Sequence, residues 1–418
     1  MRFSRTLLEA NSEALAAIQP LTFPADSTLS RFFRNHPKIG QQDRATIAET
    51  CYAALRRGRL LATLAGDVAP RRLVLAVWVA LRGANLRELE SFLKQAELDW
   101  LGAIKAAARA PQPFEVACDL PDWLLARLRA QMSDEAVLAL AKGLLEPAPL
   151  DLRVNLLRGS REDALRRLTG DGIDAQPTPY SPTGLRLAGK PAINRHPLFL
   201  DGSIEVQDEG SQLVCQLVAP RRGEMVADFC AGAGGKTLAL GAMMHSSGRL
   251  YAFDVSHSRL AKLSPRLKRS GLSNVHPQRI EGERDARVRR LAGKLDRVLA
   301  DVPCSGLGTL RRNPDLKWRQ QPEDIAQMQV KQSAILGGAA ALVKPGGRLV
   351  YATCSILREE NEGVVEQFLA VNPAFVLVPA ASVLAGARIA LDTGPCLTLA
   401  PHSHHTDGFF AAVLERSR

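Results

Sequence analysis

The sequence predicts an α/β protein whose second half is a doubly wound parallel sheet, preceded by an all-helical domain and a small α+β insert. Three observations carry this. From Ile204 onward, short apolar runs alternate with helical stretches, as parallel strands joined by crossovers do. A glycine-rich turn follows the first strong run, in Val226-Ala227-Asp228-Phe229-Cys230-Ala231-Gly232-Ala233-Gly234-Gly235-Lys236-Thr237. Two later runs end in Asp301-Val302-Pro303-Cys304-Ser305-Gly306 and in Tyr351-Ala352-Thr353-Cys354-Ser355. Open α/β sheets place ligands and chemistry at the carboxyl ends of their strands, where both cysteines fall.

The 418 residues, 46% of them hydrophobic, are enough for cores in two or three domains. Residues 1–145 read as helical, with long Ala/Leu/Arg-rich segments at helical spacing. Ile47, Cys51, Ala54 and Leu55 mark one apolar face, with Arg44, Arg56, Arg57 and Arg59 among or beside them. That fits a bundle with a charged exterior or a basic docking surface. Residues 146–204 form a small α+β subdomain: Asp151 to Asn155 is strand-like, Arg161 to Thr169 a short helix, and five prolines from Pro177 to Pro197 punctuate the rest. Residues 205–418 make the doubly wound domain, with strands expected at Met225–Phe229, Arg249–Asp254, Leu295–Asp301, Gly347–Thr353 and Gly408–Leu414. Lys236–Met244, Ser258–Ser270 and Glu323–Leu342 are helical between them.

A net charge of +11 favours a polyanionic partner, nucleic acid or an anionic membrane. The longest apolar stretches, Leu73 to Leu81 and Ala334 to Val343, fall short of the roughly 20 residues that span a bilayer. Glu9 and Glu13 interrupt the N-terminal segment too early for a secretory signal. A cytoplasmic protein is expected, and a monomer. Seven cysteines without a C-x-x-C spacing make neither a disulfide framework nor a zinc ribbon. Cys51, Cys118, Cys215 and Cys396 read as inert core thiols. His402, His404 and His405 read as a solvated loop, with no metal site expected.

The turn Cys230 to Thr237 comes within one residue of the phosphate-binding pattern G-x-x-x-x-G-K-[ST], with Cys230 in place of the first glycine. Asp301 would then hold magnesium, and the protein would be a nucleotide triphosphatase. That reading leaves Cys304 and Cys354 unused. The competing reading is a nucleoside cofactor: the turn lets backbone approach the ligand, and Asp254, ending the next strand, accepts the ribose hydroxyls.

With these residues in place, the chain resembles the RNA 5-methylcytosine methyltransferases of the Sun/RsmB family. The likeness rests on Asp228 to Thr237, on Asp301 to Gly308 running on through Arg311-Arg312-Asn313-Pro314-Asp315-Leu316-Lys317-Trp318, on Tyr351 to Ser355 with Glu359-Glu360-Asn361, and on Gln207-Asp208-Glu209-Gly210-Ser211-Gln212. Weaker likenesses in Phe32-Phe33-Arg34, in Asp43-Arg44 with Tyr52 to Arg56, and in Leu150 to Asn155 point to a NusB-like helical domain and a small RNA-contacting subdomain.

The resemblance implies a Rossmann-like catalytic domain using S-adenosylmethionine. Cys230, Ala231, Gly232, Ala233, Gly234, Gly235 and Lys236 would wrap the cofactor, Asp254 would hold its ribose, and Asp301 would lie near the reacting centre. Asp285, in Asp285-Ala286-Arg287, is assigned to the adenine side, with Glu283 the alternative. Arg311, Arg312, Lys317 and Trp318 would contact RNA, although Trp318 equally suits a core. Lys236 orients Asp301 or a substrate phosphate, or else is structural at the helix start.

Carbon 5 of cytosine attacks a methyl sulfonium only after a nucleophile adds to carbon 6, a task for a thiolate. Asp301 would manage the proton at N3. The resemblance assigns attack to Cys354 and product release to Cys304, whereas the Pro303-Cys304 pair, read by analogy with DNA cytosine methyltransferases, suggests Cys304 as attacker. The implied substrate is 16S ribosomal RNA, with tRNA the alternative.

Overall fold

The computed structural model describes residues 3–418, in two compact units. The first comprises residues 3–147 together with Thr309–Pro322, and the second Ala148–Gly308 with Glu323–Arg418.

The first unit is helical. Helices Arg5–Ile18, Ala25–Asn35, Gln41–Arg56, Gly58–Ala65 and Pro70–Ala76 pack their apolar faces around Leu8, Leu15, Ile47, Cys51, Leu61, Val74 and Trp78, all at most 2% exposed. Ser4 starts the first helix by accepting the Leu7 amide at 3.2 Å, satisfying one orphan donor of the first turn. The expected face of Ile47, Cys51, Ala54 and Leu55 is buried. The basic residues beside it are partly spent on structure: Arg44 donates to the Ile39 carbonyl at 2.8 Å, and Arg59 to Asp122 at 2.6 Å.

The segment Thr309–Pro322 returns to this unit from the middle of the chain, and corrects the expected RNA surface. Lys317 is 2% exposed; its ammonium donates to the carbonyls of Arg56 (2.8 Å) and Asp119, and lies 3.4 Å from Asp119 Oδ1. Trp318 donates its indole N–H to the Leu55 carbonyl at 2.7 Å. Arg311 is buried, with a guanidinium nitrogen 3.4 Å from the Pro147 carbonyl. Groups committed to carbonyls inside a core are not presented to a phosphate or a base. Of the four, Arg312 and Trp318 keep partial exposure, Trp318 while packing against the helical core.

In the second unit, strands β1 (Leu150–Val154), β2 (Ala175–Pro177), β3 (Gly184–Leu187) and β4 (Ile204–Val206) form an antiparallel sheet in the order β2-β3-β1-β4. Helix Arg161–Gly170 packs on it through Ala164 and Leu168, against Leu152, Val154, Leu185 and Ile204. Because Val154 pairs with Ile204 and Leu152 with Val206, β4 belongs to this small sheet, and the subdomain runs past the expected limit at 204.

The large sheet has strands β5 (Met225–Asp228), β6 (Arg249–Asp254), β7 (Val275–Arg279), β8 (Leu295–Asp301), β9 (Val343–Thr353), β10 (Phe375–Val378), β11 (Leu397–Leu399) and β12 (Phe409–Arg416). Its main order is β10-β12-β9-β8-β5-β6-β7, with β11 on β12. Strands β5 to β9 are parallel, but β12 runs antiparallel to β9, and β10 and β11 antiparallel to β12. The sheet is therefore mixed rather than wholly parallel. Residues 409–416 are near-uniformly apolar because both faces of β12 are covered, and such a run carries no mark of strand direction. The chain steps outward from β5 to β7 and then crosses to β8 on the other side of β5, making a switch point whose crevice opens beyond the ends of β5 and β8. Among the described residues no helix is long and apolar enough to cross a membrane.

Burial pushes the Lys317 ammonium from its ordinary 10.5 down to about 8, against the pull of Asp119. The folded state then holds fewer protons than the unfolded chain between those values, so Lys317 makes stability rise with pH across that window. All four tryptophans (Trp78, Trp100, Trp123 and Trp318) lie in this unit and report its unfolding. In urea titrations followed by tryptophan fluorescence, wild type should gain on Lys317→Met between pH 7.5 and 10.5 by up to about 3 kcal/mol. A pH-independent difference would contradict a strained buried ammonium.

Candidate active site

Three strand-to-loop elements converge at the switch point. After β5 the chain turns through Cys230 to Gly234, with left-handed backbone at Gly232 (φ 56°) and Gly234 (φ 86°). At Gly234 a Cβ would lie 2.1 Å from the Leu263 side chain, so this tight start to helix Gly235–Met243 demands glycine. Asp254, ending β6, fixes the turn by accepting the Gly232 amide at 2.8 Å, while its other oxygen takes the Ser256 amide at 2.7 Å.

Lys236, on the first turn of that helix, donates to Asp301 Oδ2 at 2.7 Å and sits 5.4 Å from the centre of the Phe409 ring. Burial alone would lower the Lys236 ammonium, but Asp301 overrides it and raises it above its ordinary value. Thr237 donates to Asp228 Oδ2 at 2.6 Å. Burial pushes the Asp228 carboxyl up to about 7, and among the described residues its Oδ1 is buried without a hydrogen-bond partner. The lysine and threonine that a phosphate-binding loop would turn toward a triphosphate are both engaged by acids.

Cys230 shows the electrostatics of the loop. Its thiol is pushed well up by burial first, then by Asp228, Asp301, Asp254 and Glu283. This acidic set suits a cation and a ribose and repels a triphosphate, so the donor chemistry fits S-adenosylmethionine. Glu283, the alternative to Asp285, is one of the acids acting on this thiol. Asp285 instead caps the short helix Ala286–Arg289, accepting the Arg287 amide at 2.8 Å and the Glu281 amide at 3.0 Å. Those two backbone bonds hold its carboxyl below the ordinary value.

Beyond β8 and β9, Cys304 and Cys354 face each other with their sulfurs 3.4 Å apart, and the Cys354 amide donates to Cys304 Sγ at 3.3 Å. The Cys304 thiol is pushed well up, by its hydrogen bond to Cys354 first and by burial second. Cys304 thus keeps its proton and can offer it to the sulfur of Cys354.

Glu360, fully buried, holds the two cysteine loops together. Its Oε1 accepts the Ser305 amide at 2.8 Å and the Gln332 side-chain amide at 3.0 Å; its Oε2 accepts the Ser305 hydroxyl at 2.5 Å and the Ser355 hydroxyl. Ser305 and Ser355 each immediately follow a cysteine. Asn361 binds the Thr353 hydroxyl at 2.5 Å and the Ser355 carbonyl at 3.1 Å. The two loops also touch through Gly308, whose amide donates to the Cys354 carbonyl at 2.8 Å; a Cβ there would lie 2.2 Å from the Gly408 carbonyl. The motif Glu359-Glu360-Asn361 marked this neighbourhood in the sequence, but nothing local said that Glu360 bonds across 55 residues. Gln332 gave no signal.

Comparison with known proteins agrees with this geometry. A family model described as 16S rRNA methyltransferase RsmB/F matches residues 215–415, and one described as the RsmF/B-like ferredoxin-like domain matches residues 120–194. A probable ribosomal RNA small subunit methyltransferase B from Synechocystis is 38% identical over 71% of this chain and 67% of its own length. One from Bacillus subtilis is 30% identical over 71% of this chain and 66% of its own. These alignments thus span about two thirds of each relative. A crystal structure of a methyltransferase homolog protein from Pyrococcus horikoshii superposes with a TM-score of 0.61 at 30% identity, over 72% of this chain and 97% of that one.

Glu360→Gln replaces two accepting oxygens by one and points an NH₂ at donors. Leaving buried donors unmatched costs about 1–3 kcal/mol each. The variant should lose about that much stability in denaturant titration and lose most of its methyl transfer, while binding the cofactor by calorimetry like wild type. Unchanged turnover would show that the serine–glutamate bridge does not position the thiols.

Proposed function

Because the chain belongs to the RsmB/F family of 16S rRNA methyltransferases, we propose that it methylates carbon 5 of a cytosine in 16S ribosomal RNA, using S-adenosylmethionine. The observation that carries the mechanism is the pair of thiols 3.4 Å apart at neighbouring strand ends, beside the Lys236–Asp301 pair.

The backbone turn from Cys230 to Gly235 would hold the cofactor's methionine end, Asp254 its ribose and Glu283, in place of Asp285, its adenine side. S-Adenosylmethionine, when bound, supplies the methyl group. Everything else falls to side chains of this chain and to the target base, which must leave its stack to reach them.

Cys354 is the nucleophile in this reading. As a thiolate it adds to carbon 6, forming the sulfur–carbon bond and pushing the ring's π electrons toward carbon 5 and N3. Cys304, whose thiol keeps its proton, supports the Cys354 thiolate by hydrogen bonding. Asp301, oriented by the Lys236 ammonium, takes the place beside N3, where the Lys236–Asp301 pair holds the proton that the ring needs while electron-rich. After methylation water takes the carbon 5 proton, the electron pair of that bond re-forms the carbon 5–carbon 6 double bond, and the sulfur–carbon 6 bond breaks with its electron pair returning to Cys354, whose leaving thiolate the Cys304 thiol supports by hydrogen bonding. A cytoplasmic setting and action as a monomer belong to the same proposal.

RNA from a strain lacking the protein, read by bisulfite sequencing, should lose one 5-methylcytosine signal in 16S RNA and regain it with the wild-type chain. Cys354→Ala should restore nothing and form no adduct. Cys304→Ala should attack and then stall as a protein–RNA complex that survives denaturing electrophoresis. A signal lost from tRNA instead would move the substrate, and a complex accumulating with Cys354→Ala would exchange the two roles.

A further inference from the structure

Between the small sheet and the helices Glu209–Val218 and Gly235–Met243 lies a cavity of about 290 Å³. None of its lining residues belongs to the cofactor turn or to the cysteine loops. Arg153, on β1, enters it. The residue is only 4% exposed, and its guanidinium makes one hydrogen bond, from Nε to Gln207 Oε1 at 2.6 Å. Among the described residues its two terminal nitrogens have no hydrogen-bond partner, and no carboxylate lies within ion-pair distance.

The surrounding polar groups are already spent. Gln212 donates to the Leu152 and Gln207 carbonyls at 3.2 and 2.9 Å, and accepts from Ser181 and Thr183. Glu205, paired with Arg153 across the strands, is engaged by Arg266 at 2.9 Å and by Arg269 at 2.5 Å, so its carboxylate is already shared by two other guanidiniums. A buried guanidinium stays charged, and leaving it without a counter-ion is costly. Such a fork matches two oxygens of an oxyanion. The remaining wall is apolar, with Pro182, Pro220 and Met243, while Gln216 and His245 stand toward solvent.

We propose that this cavity is a binding site for a phosphate carried on a nucleotide-sized body, held by the fork of Arg153, and separate from the methyl-transfer centre. The volume is that of one nucleotide rather than of a bare ion. The source is either a free nucleotide or, if the protein acts on RNA as proposed above, an internal phosphodiester of that RNA. The cavity shares no residue with the thiol site, so failure to bind there would leave the proposed reaction untouched.

Calorimetry on the full chain, saturated with S-adenosylhomocysteine to close the cofactor site, provides the test. Inorganic phosphate, cytidine 5′-monophosphate and a dinucleotide without terminal phosphates serve as probes. Cytidine monophosphate should bind, and inorganic phosphate compete with it, if the source is a free nucleotide; the dinucleotide should bind if the source is RNA. Either affinity should fall by roughly tenfold or more in Arg153→Met, the loss expected for a charge-assisted contact. Should that variant misfold, Gln216→Glu places a negative charge at the half-exposed rim and should weaken the same probe while leaving S-adenosylhomocysteine affinity unchanged. Absence of binding by all three probes, or binding that survives the substitutions, overturns the proposal.

Discussion

The catalytic crevice depends on one buried carboxyl group. Glu360 gathers the Ser305 amide, the Ser305 and Ser355 hydroxyls and the Gln332 amide, and thereby ties together two loops that leave different strands. A buried acceptor of this kind is favourable only when its partners are in place, so the network strongly disfavours any arrangement that separates the loops. Since each serine follows a cysteine, the bridge also sets the distance between the two sulfurs. A chemistry that passes one carbon between attack and release needs both thiols fixed within reach of the same ring.

The sheet supplies the second constraint. Strand order places β5 and β8 side by side at the switch point, and β9 next to β8. The glycine turn, Asp301 and both cysteines therefore emerge along one edge without any long loop. Lys236 then links the turn after β5 to the end of β8 through Asp301. That pair keeps a cation in an otherwise acidic crevice, and in the proposed reaction it manages the proton at the base.

Much of this was legible because the informative residues are local. The glycine turn, Asp254, the Asp301-to-Gly306 run and the Tyr351-to-Ser355 run each name a strand end and its loop within a few residues. What was not legible depends on distant partners. Lys317, Trp318 and Arg311 have the composition of a nucleic-acid surface, yet their partners at Arg56, Asp119, Leu55 and Pro147 lie about 160 to 260 residues away and draw them into a helical core. Asp285 caps a short helix through two backbone bonds that its local sequence does not announce, while Glu283 two residues earlier acts on Cys230. The reversal of β12 escaped because a strand buried on both faces reads the same in either direction.

In the proposed reaction, two thiols held by one buried carboxyl divide attack and release between them. A target RNA carrying 5-fluorocytidine at the modified position tests it most directly, because fluorine at carbon 5 cannot leave as a proton does and the methylated adduct cannot resolve. The wild-type chain with S-adenosylmethionine should become cross-linked to this RNA, and mass spectrometry of the digested complex should place the nucleotide on the peptide containing Cys354. A nucleotide on Cys304, or no cross-link at all, would contradict the account.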